Sequence, residues 1–168
     1  MESVCICIHA SIHPTYSIEP LGLIDKPAPV FNRELNSEPY YLAVNNCYSY
    51  ALNRYRNPGS GIFGGGLQPG ELSGKEFSKL ICSSIFDASK NDGAKDLENG
   101  NCPSGYRKTQ LFIPPHNFIG MGGDHWYRQD ANGEWSDKQG VGAIRFRGKG
   151  PFPPINYPEK CGTICLPN

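Results

Sequence analysis

Cys47 and His125 are the residues whose types and surroundings could support covalent chemistry. A cysteine in the first turn of a helix meets unpaired backbone N–H groups and the positive end of the helix dipole. Both lower a thiol pKa and make a nucleophile near neutrality. The segment NNCYSYALN, with an asparagine pair suited to N-capping, puts Cys47 at such a start. A histidine on a neighbouring strand can pair with the thiolate and later protonate a leaving amine, as in thiol hydrolases. A buried small hydrophobe and a hydrogen-bonded sheet histidine would look the same in sequence, so a third residue carries weight. Asp137 follows His125 across a turn at Ala131-Asn132-Gly133. Two-residue hairpin counting opposes 128 to 137 and turns Asp137 away from His125. A three-residue turn with a glycine bulge opposes 129 to 137 and puts Asp137 on the histidine's face. Asp124, Asp130, Asn117 and Gln129 are also close in sequence, and Asp137 ranks first among them by geometry.

The elements that would position these residues follow from punctuation and periodicity. Residues 1–40 carry five prolines and read as an extended arm. A short helix is expected from residue 45 to the Asn57-Pro58-Gly59 stop, and the glycine-rich stretch 59–74 as a loop that could wall a cleft. Ser73 and Glu76 have capping-box spacing. Phe77, Leu80, Ile81, Ile85 and Ala88 recur at helical intervals up to Gly93, so a helix is expected across 73–93. Residues 110–113, 124–130, 134–138 and 142–147 read as strands of a small antiparallel sheet, and the tail 148–168 as a proline-punctuated extension.

Composition removes several classes of function. Sixteen Lys and Arg balance sixteen Asp and Glu, without basic clusters interleaved with aromatics, so no nucleic-acid partner is expected. No apolar run approaches the length that spans a bilayer, so no membrane span is expected. The first residues lack the basic and apolar regions of a secretory signal, which leaves open a cytoplasmic chain, one exported by another route, and one whose leader has been removed. Seven cysteines are many for a reducing compartment and odd in number, so at least one has no partner within the chain. Local chemistry points to Cys47 as the free thiol; outside a reducing cytosol the other six are expected to pair, with Cys5 and Cys7 tied to the tail or to Cys102. The series Cys5, Cys7, His9 and His13 holds possible zinc donors, but Cys-x-Cys is uncommon for structural zinc and the same sulfurs serve disulfides. No metal or cofactor is assigned.

The stretches NNCYSYALN, DHWYRQDANGEWSDKQG and YPEKCGTICLP resemble a group of bacterial, phage and shell-matrix-like proteins. In that group an Asn-Cys-Tyr-x-Tyr-Ala-x-Asn segment precedes an Asp-His-Trp-Tyr-Arg-Gln hairpin, whose return strand often carries histidine where this chain has Asp137. The arrangement also resembles the papain-like NlpC/P60 hydrolases, and Cys47, His125 and Asp137 match their three catalytic positions. The resemblance implies an α+β papain-like domain, with the nucleophile helix packed on a small antiparallel sheet. The whole chain is expected as one domain: an arm (1–40), a catalytic core (41–147) and a tail (148–168). The implied reaction is hydrolysis of amide bonds in a protein or a peptidoglycan stem peptide by a monomer, through an acyl-enzyme. Tyr48, Trp126 and Gly123 are the expected substrate-binding residues. The same machinery performs deamidation and transamidation. The rival from another class is a non-enzymatic, disulfide-stabilised extracellular or matrix protein. A free thiol at Cys47 would favour the enzyme and a bridged one the scaffold.

Overall fold

The computed structural model describes residues 29–37, 39–54, 66–115, 123–154 and 156–168. Its centre is one antiparallel sheet of β1 (Tyr106–Ile113), β2 (His125–Gln129), β3 (Trp135–Lys138), β4 (Ile144–Gly148) and β5 (Glu159–Pro167), in the spatial order β4-β3-β2-β1-β5. A 3-10 turn (Arg33–Ser37) and three short helices, α1 (Pro39–Val44), α2 (Cys47–Ala51) and α3 (Cys82–Asn91), complete the described elements, so the fold is α+β. The arm before residue 29, with Cys5, Cys7, His9 and His13, lies outside the described residues.

Period-two alternation divides the sheet into two different faces. On one face Leu111, Ile113, Trp126, Ile164 and Leu166 pack with Tyr48, Ala51 and Leu52 around α2 and with Ile85 of α3. On the other, Phe112, Tyr127 and Trp135 form a smaller cluster joined by Tyr157. The helix-facing side also carries three buried cations whose donors end on carbonyls in the helices or just past their ends. Arg107 Nε donates to Ala51 O, Arg128 Nη1 to Tyr50 O, and Lys138 Nζ to Leu42 O and Asn45 O. Carbonyls at helix C-termini have no intrahelical donor, so these strand cations take the place of further helical turns. Helix α2 therefore stops at Ala51 with Leu52 as C-cap and Asn53 at φ 54°, short of the residue-57 stop expected from sequence.

Helix α3 starts at Cys82, not at Ser73. The Asp92 carboxylate accepts the N–H groups of Gly70 and Ser73, and the Ser73 hydroxyl donates to Gly70 O, so the expected capping box becomes a turn held by Asp92. The apolar period survives, with Ile85 and Ala88 buried and Phe77 and Leu80 packed on the core. Strand β5 is a second departure from the expected extended tail. It pairs along β1 and exchanges backbone bonds with Lys95 through Cys165. Two disulfides fasten it: Cys82–Cys161 ties it to the first residue of α3, and Cys102–Cys165 to the loop before β1. Both tail cysteines and Cys102 are thereby used, so the expected pairing of Cys5 and Cys7 with them does not hold.

Candidate functional site

Asn46 caps α2 through its side chain, which accepts the Ser49 N–H at 2.9 Å and donates to Leu67 O at 3.0 Å. The Ser49 hydroxyl accepts the Leu67 N–H at 2.7 Å, so the end of the glycine-rich loop is clamped to the helix that bears Cys47. A Cβ at Gly66 would fall 2.3 Å from Asn46 N and 2.4 Å from Ser49 Oγ, which only glycine avoids. Gly66 is thus a close-packed seat for the helix start and not a free cleft wall. Gly66→Ala is expected to cost about 3 kcal/mol or more, because the atoms to be displaced are backbone and a buried hydroxyl. Thermal melting checks this, and a melting point within a degree of wild type would show that the loop can move aside.

The second component is the β2–β3 hairpin. Asp130 N–H donates to Glu134 O, and Gly133 at φ 81° donates to Asp130 O, which is the three-residue turn with a left-handed glycine. The register is Tyr127↔Asp137 and not 129 to 137. The two differ by an even number of residues, so Asp137 lies on the His125 face as the three-residue turn requires. His125 Nε2–H donates to Asp137 Oδ2 at 2.8 Å. Arg147, reached through β4, donates to the same carboxylate from Nε (2.6 Å) and Nη2 (3.1 Å). Burial alone would raise the Asp137 carboxyl, but the hydrogen bonds from His125 and Arg147 hold it below the usual carboxylate range. Tyr157 stacks on the imidazole at 5.4 Å, and the Tyr127 ring meets it at a right angle at 5.0 Å.

Cys47 comes to this cluster from the helix side. Its thiol contacts Asp124 O at 3.5 Å, and the backbone N–H groups of Trp126 and Tyr48 point at the sulfur. Asp124 and Trp126 flank His125 in the chain, so the thiol is held against the backbone on both sides of the histidine. Cys47 is the free cysteine among the described residues, at 6% exposure, with His125 at 2% and Asp137 at 0%. The electrostatics differ from the sequence expectation. Burial, reinforced by the Asp124 and Asp137 carboxylates, pushes the Cys47 thiol well up, and the two N–H groups offset only part of this. The expectation of a lowered thiol pKa fails because α2 has five residues and a small dipole, while desolvation opposes the charged form.

Tyr48 and Trp126 are not substrate-facing. Each is fully buried. Tyr48 OH donates to Asp92, Trp126 Nε1 donates to the Asp124 carboxylate, and their rings pack on each other at 5.3 Å. Gly123 is exposed, with nothing near its Cα side, and residues 116–122 before it lie outside the described residues. Sequence reasoning missed Arg147, Tyr157 and Lys138. The alternation Ile144-Arg145-Phe146-Arg147 would have aimed Arg147 at Asp137 once the strand order was known, whereas nothing local marks Tyr157. Lys138 Nζ donates to Leu42 O, Asn45 O and Gly140 O, and burial lowers its pKa to about 8. Among the described residues no group of His, Cys, Asp and Glu side chains gathers as metal ligands.

The chain is similar to insoluble matrix shell protein 1 of Ruditapes philippinarum, with 29% identity over 96 residues. That stretch is 57% of this chain and 56% of the relative, so the chain spans about half the length of the curated protein it matches. No family model matches the chain, and no solved structure matches it. Among the described residues no helix is long and apolar enough to cross a membrane.

Proposed function

We propose that the chain is a disulfide-braced structural domain of an extracellular protein matrix. The observation that carries this reading is the pair of disulfides, which fix the last strand at sequence separations of 79 and 63. Such bridges persist in oxidising compartments and are rare where glutathione keeps thiols reduced. The likeness to a shell matrix protein supports the same setting. In this reading the Cys47, His125 and Asp137 cluster is a satisfied polar core. The Cys47 thiol is free, which by itself would favour the enzyme, but burial raises its pKa and keeps it protonated. The imidazole lies under Tyr157, and Arg147 balances the carboxylate.

A second reading has its own observation. Cys47 is free, and its sulfur abuts the backbone beside a histidine oriented by a carboxylate, the layout of a papain-like, NlpC/P60-type thiol hydrolase. There Tyr157 would leave His125, the Cys47 thiolate would attack a peptide carbonyl, and the Cys47 N–H would help hold the oxyanion. His125 would then protonate the leaving amine and activate water to release the acyl group. Its substrate would be a protein or a peptidoglycan stem peptide.

Alkylation of the native, non-reduced chain separates the two. As a structural domain it should leave Cys47 unmodified by iodoacetamide at about pH 6 and at about pH 8, with full labelling only after unfolding. Rapid labelling of Cys47 at about pH 6, lost in His125→Ala, would replace the structural reading with the enzymatic one.

A further inference from the structure

The sheet face that carries Asp137 continues outward into a groove of about 510 Å³. Its floor is formed by Tyr127 with Arg145 and Arg147, and its wall by Phe152, Pro153 and Pro154. Arg145 lies directly across from Asp137 in the register, so both arginines share one face, roughly 7 Å apart along the strand. Their situations differ. Arg147 is committed to Asp137, whose remaining acceptor capacity goes to His125. Arg145 is exposed and makes no ion pair among the described residues, and none of the described residues lining the groove is acidic. The groove is therefore cationic within a chain whose formal net charge is zero.

The wall has a definite shape. Tyr127 OH donates to Phe152 O at 2.9 Å, which anchors the backbone of the segment to the floor, while Phe152 stays 72% exposed. Pro153 and Pro154 stiffen that segment, since a proline ring fixes its own φ and restricts the residue before it. A rigid apolar wall facing a guanidinium suits a ligand with a carboxylate beside an apolar side chain. Guanidinium takes a carboxylate through paired N–H donors, and the wall removes apolar surface from water.

We propose that this groove binds an acidic peptide segment, a carboxylate on Arg145 and a neighbouring aromatic or aliphatic side chain against Phe152, Pro153 and Pro154. A nucleic acid fits poorly, because one unpaired arginine offers little to a phosphate chain. The site goes beyond the structural reading and does not use the Cys47 thiol, so its test and the alkylation test fail separately.

Isothermal titration calorimetry of the full chain with blocked Glu-Phe-Glu-Phe-Glu, Glu-Ser-Glu-Ser-Glu and Lys-Phe-Lys-Phe-Lys peptides supplies the test. The Glu-Phe peptide should bind most tightly, with affinity falling as salt rises. Arg145→Gln should weaken it about fivefold, the upper end for one solvent-exposed ion pair. Phe152→Ala should weaken the Glu-Phe peptide and leave the Glu-Ser peptide unchanged. Arg145→Glu should reverse the preference between the acidic and basic peptides. Equal binding of acidic and basic peptides, or an unchanged affinity in Arg145→Gln with wild-type melting, would overturn the proposal. So would binding of chondroitin sulfate without binding of the Glu-Phe peptide, which would assign the groove to a sulfated polymer instead.

Discussion

Replacing Asp137 by alanine is expected to destabilise the chain by about 3–5 kcal/mol, because it leaves His125 and Arg147 without their buried acceptor. For a domain of this size that corresponds to a drop in melting temperature of roughly 10 °C. Asp137→Asn should lose less, since an amide oxygen still accepts from one of the two donors. The pH dependence follows from the sign of the shift. The Asp137 carboxyl is held below its unfolded value, so its stabilisation is present above about pH 4 and is lost as pH falls through the lower folded value. Asp124 and Asp130 have raised carboxyls through burial, so in acid they act in the opposite direction. The difference between wild type and Asp137→Asn isolates the Asp137 contribution: melting points measured from about pH 3 to pH 7 should converge at the acid end. A constant gap across that range would mean that the carboxylate is not the charge that holds His125 and Arg147.

The second large effect concerns the bridges. Replacing Cys102 and Cys165 together by alanine should cost about 4 kcal/mol by the chain-entropy estimate for a closed loop of this size. The Cys82–Cys161 bridge, which closes a longer loop, should be worth a similar amount. Strand β5 is where the loss should localise, because among the described residues it pairs with β1 on one side and only with Lys95 on the other. Under mild reduction, limited proteolysis should cut within 148–160 before it cuts β1 or β2. If the reduced chain melts where the oxidised one does and resists cleavage there, the bridges are dispensable and the structural proposal loses its support.

The two effects have different physical origins. The bridges act largely by restricting the unfolded chain, whereas Asp137 acts in the folded state by making buried donors affordable. Neither requires turnover, and both remain measurable if Cys47 proves reactive.

Some of this arrangement was legible in the sequence because it depends on local chemistry. Ala131-Asn132-Gly133 marked a turn and left two types open; the three-residue turn with a left-handed glycine is the one formed, and its parity puts Asp137 on the face of His125. The asparagine before Cys47 marked the start of α2, and alternation and breakers placed four strands between residues 110 and 147, although β1 begins four residues earlier, at Tyr106. The odd cysteine count required at least one free thiol, and Cys47 is the free one among the described residues. Other features depended on partners distant in sequence. Helix α2 is short because Arg107 and Arg128, on strands far along the chain, take its last carbonyls, and α3 starts late because Asp92 claims the N–H groups that a capping box would have used. Strand β5 exists because β1 offers an edge to a segment whose prolines conceal its pairing potential. The state of Cys47 was decided in the same way. Its residue type and helical position argued for a thiolate, but the sign of its pKa shift is set by desolvation and by Asp124 and Asp137, which only tertiary packing brings to the sulfur.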